Sequence, residues 1–310
     1  MKSVICSIMI FVLLFSFNAL SAQSRRYPPV IKTASDSAVF KVVDDFELKL
    51  WMFKPPRHEP SDTAAAIVFF FGGGWTNGSP SQLVKQCEYL AARGMVAITA
   101  DYRVRSRNGV SMDKCVSDAK SAIRWIREHS SEHGIDPDRI AASGGSAGGH
   151  LAAATAFLPK FDEPDENLEI SSKPNALVLF NPALYFEPQD EGEASNSEER
   201  SPNPVDRYGD FSAEDLSPYH HIKKGAPPTI VLSGSEDFLI TDKVINMFGG
   251  KMKEVGSECT FVIYDGEPHG FFNWGMKNNG PYVTTTHTMD EFLVSLGYLE
   301  APPKETIYKF

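Results

Sequence analysis

Ala65–Phe71 reads AAIVFFF, seven apolar residues with no polar position between them. A strand with one wet face alternates in polarity; an unbroken run of this length marks a strand covered on both faces. The same texture recurs in Met95–Ala100 (MVAITA), Ile140–Ser143, Ala176–Phe180 (ALVLF), Thr229–Ser233 (TIVLS) and Thr260–Tyr264 (TFVIY). Between these runs lie helical patterns at about Ser81–Arg93, Asp113–His129, Gly148–Phe157 and Asp242–Val255, with a last one at His287–Leu296. Strand and helix in regular alternation predict an α/β fold: a mainly parallel sheet with helices on both faces. Two partly alternating runs, Ala38–Asp44 and Phe46–Phe53, precede the series and read as antiparallel edge strands. No composition shift splits the chain, so residues 23–310 are expected to form one domain. One interval breaks the rhythm: Asn181–Pro227 is rich in proline and acidic residues and reads as an irregular insertion, the expected specificity element.

The first 22 residues stand apart. Lys2 precedes an apolar run from Val4 to Phe17, and small residues follow around Ser21 and Ala22. This is the pattern of a signal peptide cleaved after Ser21 or Ala22, with a retained anchor as the alternative. The mature chain is then expected to be secreted or periplasmic, with no membrane attachment. The formal charge is −10, or −11 once the segment carrying Lys2 is gone. An acidic chain argues against nucleic acid as a partner. Three cysteines remain, Cys87, Cys115 and Cys259, enough for one disulfide at most. Cys87 and Cys115, on neighbouring predicted helices, are the pair that would form it; buried free thiols are the equal alternative.

Ser143–His150 reads SGGSAGGH, between a predicted strand and a predicted helix. Gly144–Gly148 satisfies G-x-S-x-G, which places Ser146 on a sharp turn where flanking small residues let strand and helix pack closely. A serine hydroxyl needs a base to become a nucleophile. His269, in the loop after the last predicted strand, is the expected base; His150 on the following helix is expected to pack or cap. The base needs a carboxylate to orient it. Asp237, just past the strand TIVLS, is the expected acid, with Glu236 as its neighbouring rival. No clustered metal-ligand set and no dinucleotide fingerprint occurs, so no metal or cofactor is expected.

Taken together, FGGGW, ADYR at Ala100–Arg103, DAKSAIRW at Asp118–Trp125, GIDPDRIAASGGSAGGHLAA, GSED and EPHGFF resemble the α/β-hydrolases of carboxylesterase type. The resemblance runs from about Phe46 to the C-terminal helix. It is nearest to the secreted bacterial feruloyl/acetyl-xylan esterases and more distant from the hormone-sensitive-lipase-like esterases. It implies a serine esterase that removes acetyl or other small acyl groups from carbohydrate, with a small ester or acylated carbohydrate as its partner. An amidase or peptidase of the same fold and a silent, ligand-binding hydrolase fold are the alternatives. The resemblance also implies that backbone N–H groups of Gly73, Gly74 and Ala147 form the oxyanion hole, and that Trp75 packs under the glycine loop or walls the pocket. Where the family pattern has histidine before the glycines, this chain has Phe71, so the means of holding the loop is open.

Overall fold

The computed structural model describes residues 27, 29–187 and 207–301. The larger compact unit spans Ile31–Phe310; the expected signal peptide and the acidic centre of the insertion lie outside the described residues. The strands are β1 (Asp36–Val43), β2 (Phe46–Phe53), β3 (Ala64–Phe70), β4 (Val96–Ala100), β5 (Ile135–Gly145), β6 (Ala176–Phe180), β7 (Thr229–Glu236) and β8 (Cys259–Pro268). The principal helices are α1 (Val84–Arg93), α2 (Met112–Glu128), α3 (Ala147–Phe157), α4 (Asp242–Glu254) and α5 (Gly280–Ser295).

All eight strands form one sheet in the order β1-β2-β4-β3-β5-β6-β7-β8. β1 pairs with β2 and β2 with β4 in antiparallel fashion; every later pairing is parallel. The two early alternating runs are therefore the antiparallel edge, and the continuous apolar runs are the buried centre. Along β3 the side chains divide by parity. Ala66, Val68 and Phe70 join one buried cluster and Ala65, Ile67 and Phe69 the other, as the two-residue period of a strand requires. The first cluster also takes residues from α2, α3 and α4, such as Cys115, Leu151 and Phe248. The second takes Cys87 and Leu90 from α1, and Met289 and Leu293 from α5. The helices thus divide between the two faces.

That division decides between the two alternatives left open for the cysteines. Cys87 and Cys115 are adjacent in helix order but lie on opposite faces of the sheet, and both are buried free thiols. Burial pushes both thiols well above their ordinary range, which leaves them unreactive.

Two motifs turn out to be halves of one contact. Arg103, just past β4, makes a two-pronged ion pair with Asp118 of α2, both bonds 2.8 Å long. Asp118 is fully buried and also takes Lys41 from β1 at 2.8 Å. The ADYR and DAKSAIRW segments therefore clamp the edge of the sheet to α2.

Candidate active site

Parallel strands all end on one side, and loops there converge. Because β3, β5, β6, β7 and β8 are adjacent in the sheet, the residues after them line up in that order. They are the glycine loop after β3, Ser146 after β5, Asn181 after β6, Asp237 after β7 and His269 after β8.

Ser146 sits at φ +56° and ψ −119°, a region a non-glycine residue rarely occupies. Such a turn costs about 1–3 kcal/mol. Its surroundings hold it: the Ser146 N–H donates to the Phe180 carbonyl at 2.9 Å, and its own carbonyl accepts the His150 N–H at 3.0 Å. Close packing completes the constraint. A Cβ at Gly148 would lie 2.0 Å from the Phe70 carbonyl oxygen, so only glycine lets α3 pass β3 here.

The Ser146 hydroxyl lies 2.9 Å from His269 Nε2, and His269 Nδ1 lies 3.1 Å from Asp237 Oδ1. The Asp237 carboxylate is an acceptor, so Nδ1 carries the ring proton and Nε2 faces the hydroxyl as a lone pair. An imidazole so held can take the hydroxyl proton, and the carboxylate can stabilise the cation that results. Asp237 has no exposed side-chain surface, whereas His269 keeps 22% of its own. Burial alone would raise the Asp237 carboxyl. Hydrogen bonds from His269, the Leu239 N–H and Asn181 outweigh it and hold the group below the usual carboxylate range. Glu236, the rival acid, points into solvent.

Asn181 is a site residue that the sequence did not disclose. Its Nδ2 donates to Asp237 Oδ2 and, at 3.2 Å, to Ser233 Oγ. Its Oδ1 accepts the Gly270 N–H at 3.3 Å. One side chain thus ties the acid to the loop that bears the base. Its position as the first residue after a buried strand was the only available signal.

The glycine loop abuts the serine: a Cβ at Gly72 would come within 3.3 Å of Ser146 Cβ. Gly73, at φ +133°, folds the loop back so tightly that a Cβ would meet the Asn77 carbonyl oxygen at 2.2 Å. The N–H groups of Gly73 and Gly74 donate to no acceptor among the described residues, and both glycines are exposed. Ala147 opens α3, where first-turn N–H groups have no partner within the helix. The Gly73 and Gly74 N–H groups are thus unspent in the loop that abuts the serine, and the Ala147 N–H opens the helix that follows it.

The loop is held without a histidine at position 71. The Phe71 ring is fully buried and stacked on Tyr102 at 4.0 Å between centroids, while the Tyr102 hydroxyl donates to the Phe71 carbonyl at 2.7 Å. The Gly72 N–H donates to Gln82 Oε1 at 2.6 Å, and Gln82 donates in turn to Asn273, which donates to the Gly270 carbonyl. Trp75 Nε1 donates to His150 Nδ1 at 3.1 Å, and His150 Nε2 donates to the Leu216 carbonyl at 2.8 Å. Burial lowers His150 to about 4 against the opposing pull of Leu216, with the Arg207 charge acting in the same direction as burial. It stays neutral and can accept from Trp75. His150 therefore packs and bonds the loop, and Trp75 is 6% exposed beneath it. Among the described residues, no group of three or more histidine, cysteine or acidic side chains is placed to hold a metal ion.

A serine on a strained strand–helix turn, an imidazole on its hydroxyl and a carboxylate behind it, in the order Ser-Asp-His along the chain, define the hydrolase class with a nucleophile elbow. A family model described as alpha/beta hydrolase fold matches residues 67–273, and the chain belongs to that family. Among solved structures, the apo form of Thermogutta terrifontis esterase 2 is 48% identical, with a TM-score of 0.81; the match covers 90% of this chain and all of that one. The same esterase phosphorylated by paraoxon is 46% identical with a TM-score of 0.80, covering 89% of this chain and 99% of that one. A curated Mycobacterium tuberculosis protein, the probable carboxylic ester hydrolase LipM, is 28% identical over 80% of this chain but only 58% of its own length. The chain thus spans about half to three-fifths of the curated relatives it matches first.

Proposed function

We propose that this chain is a serine esterase acting on small carboxylic esters, with acyl groups on carbohydrate as its substrate class. The observation that carries the reading is the unbroken relay from Ser146 through His269 to Asp237, at 2.9 and 3.1 Å, beside a loop of undirected N–H donors. The names of the relatives and solved neighbours support it.

In this reading Ser146 Oγ attacks the ester carbonyl carbon while its proton passes to His269 Nε2. Charge develops on the carbonyl oxygen, where the Gly73, Gly74 and Ala147 N–H groups receive it. A donor of this kind lowers a barrier by roughly 3–4 kcal/mol. As the tetrahedral intermediate collapses, His269 hands the proton to the departing alcohol. Water then repeats the sequence on the acyl-enzyme, with His269 as base, and frees the acid. The leader-like N-terminus supports export as part of the same proposal.

A panel of short p-nitrophenyl esters, acetylated xylan, methyl ferulate and an aminoacyl anilide tests the reading, with Ser146→Ala as control. Release of acetate from xylan, abolished in the variant, supports it in full. Hydrolysis of the simple esters alone removes the carbohydrate, and cleavage of the anilide alone replaces the esterase with an amidase.

A further inference from the structure

Gly72 precedes the two glycines with unspent N–H groups, and Gly270 follows the base His269. Two side-chain amides bridge them. The Gly72 N–H donates to Gln82 Oε1 at 2.6 Å, Gln82 Nε2 to Asn273 Oδ1 at 3.0 Å, and Asn273 Nδ2 to the Gly270 carbonyl at 2.8 Å. The two ends decide the orientation. A backbone N–H only donates and a carbonyl only accepts, so one assignment of the two amides satisfies all three bonds. Turning either amide over sets donor against donor on one side and acceptor against acceptor on the other. Gly72 is buried and both amides are half-buried, so each bond is costly to leave unmade.

The connection continues past Gly270. Its N–H donates to Asn181 Oδ1, and Asn181 Nδ2 donates to Asp237. Every link therefore donates in one direction, from the glycine loop to the buried carboxylate. Both bridging amides are also rooted in rigid backbone. Gln82 lies in the short helical turn Pro80–Leu83, between two buried residues, and its N–H donates to the Ser79 carbonyl at 3.1 Å. Asn273 follows the buried rings of Phe271 and Phe272, and its own N–H closes on the Gly270 carbonyl at 3.3 Å.

We propose that Gln82 and Asn273 are positioning residues that act as one unit. Together they fix the spacing between the glycine loop, which receives the negative charge, and His269, which receives the proton. The proposal rests on the esterase reading and adds what keeps its two halves in register. Both side chains act through the loops they hold. A displacement of about 1 Å between such groups costs roughly a hundredfold in rate.

The test is a double-mutant cycle. Gln82→Met removes one amide at nearly constant volume, and Asn273→Ala removes the other; should the latter fail to fold, Asn273→Leu takes its place. Hydrolysis of p-nitrophenyl butyrate is measured per site titrated with paraoxon, so that unfolded protein does not enter kcat. Each single variant is expected to lower kcat about tenfold, with KM within about threefold. The double variant is expected to fall no further than about threefold below the lower single. Losses that multiply, to roughly a hundredfold, make the two residues independent and overturn the coupling. A kcat within about threefold of wild type in either single variant overturns it too. In both cases turnover by the wild type leaves the esterase reading standing. If the wild type hydrolyses no ester, that reading falls, and amide hydrogen exchange decides the coupling alone. Faster exchange of residues 269–273 in Gln82→Met, and of residues 72–78 in Asn273→Ala, supports it. Unchanged exchange in the loop across the bridge overturns it.

Discussion

Asn181 shows how a single side chain sets the electrostatics of the site. It is one of the three groups that pull the Asp237 carboxyl down against its own burial. Removing it lets that carboxyl rise, so Asp237 loses its charge at a higher pH as the solution is acidified. Asn181→Ala is therefore expected to lower kcat about ten- to a hundredfold and to shift the acid limb of the pH–kcat profile upward; an unmoved limb would make its role purely structural. At Phe71, a fully buried ring stacked on Tyr102 anchors the glycine loop by packing. Phe71→His would bury an imidazole where a ring now packs, and should lower the unfolding free energy by about 1–3 kcal/mol in a denaturant titration. Ser146, Asp237 and His269 could be named from the sequence because each sits in a short pattern at the end of an apolar run. Asn181, Gln82 and His150 could not be given their contacts. Those depend on which strands are neighbours, and the neighbour of β6 is not visible in a linear chain.

Elements were legible where burial is two-sided. β6 matches its apolar run from end to end, β2 matches its partly alternating run, and Gly94 stops α1 in the left-handed conformation that favours glycine. The misses have local causes. β5 begins at Ile135, inside a polar stretch, because the paired backbone of β3 extends it, and α5 begins at Gly280 behind a proline and several threonines that blur its stripe. Whether Cys87 and Cys115 pair or stay free thiols was open for a related reason. Helix order in the sequence says nothing of which sheet face each crossover takes. The contact between β4 and α2 carries a prediction at this scale. Asp118→Ala leaves Arg103 and Lys41 without their buried partner. Stability should fall by about 3–5 kcal/mol, seen as a lower urea midpoint; a loss below 1 kcal/mol would show the pair to be dispensable.

The whole molecule should lose stability in acid in two stages. His150 has its folded value lowered to about 4 from an ordinary value near 6.5. The unfolded chain therefore binds the proton first, and stability falls as pH drops from 6.5 towards 4, by about 3 kcal/mol from this group. Asp136, Asp162, Glu163, Asp215 and Asp237 are all held below their ordinary range. Their contribution is present above the ordinary carboxylate range and is lost as pH falls through the lowered values, a later stage. His150→Gln, which can still accept from Trp75, should flatten the first stage and leave the second; identical pH profiles for wild type and variant would remove His150 from this account. The same histidine joins the glycine loop to α3 and so links acid stability to the site.

The central claim is that Ser146 is the nucleophile of this relay. Treatment with paraoxon, followed by peptide mass spectrometry, tests it most directly. One phosphoryl adduct is expected, on the peptide bearing Ser146, formed in step with the loss of p-nitrophenyl butyrate hydrolysis and absent from Ser146→Ala. An adduct on another residue, or undiminished hydrolysis by Ser146→Ala, would contradict it.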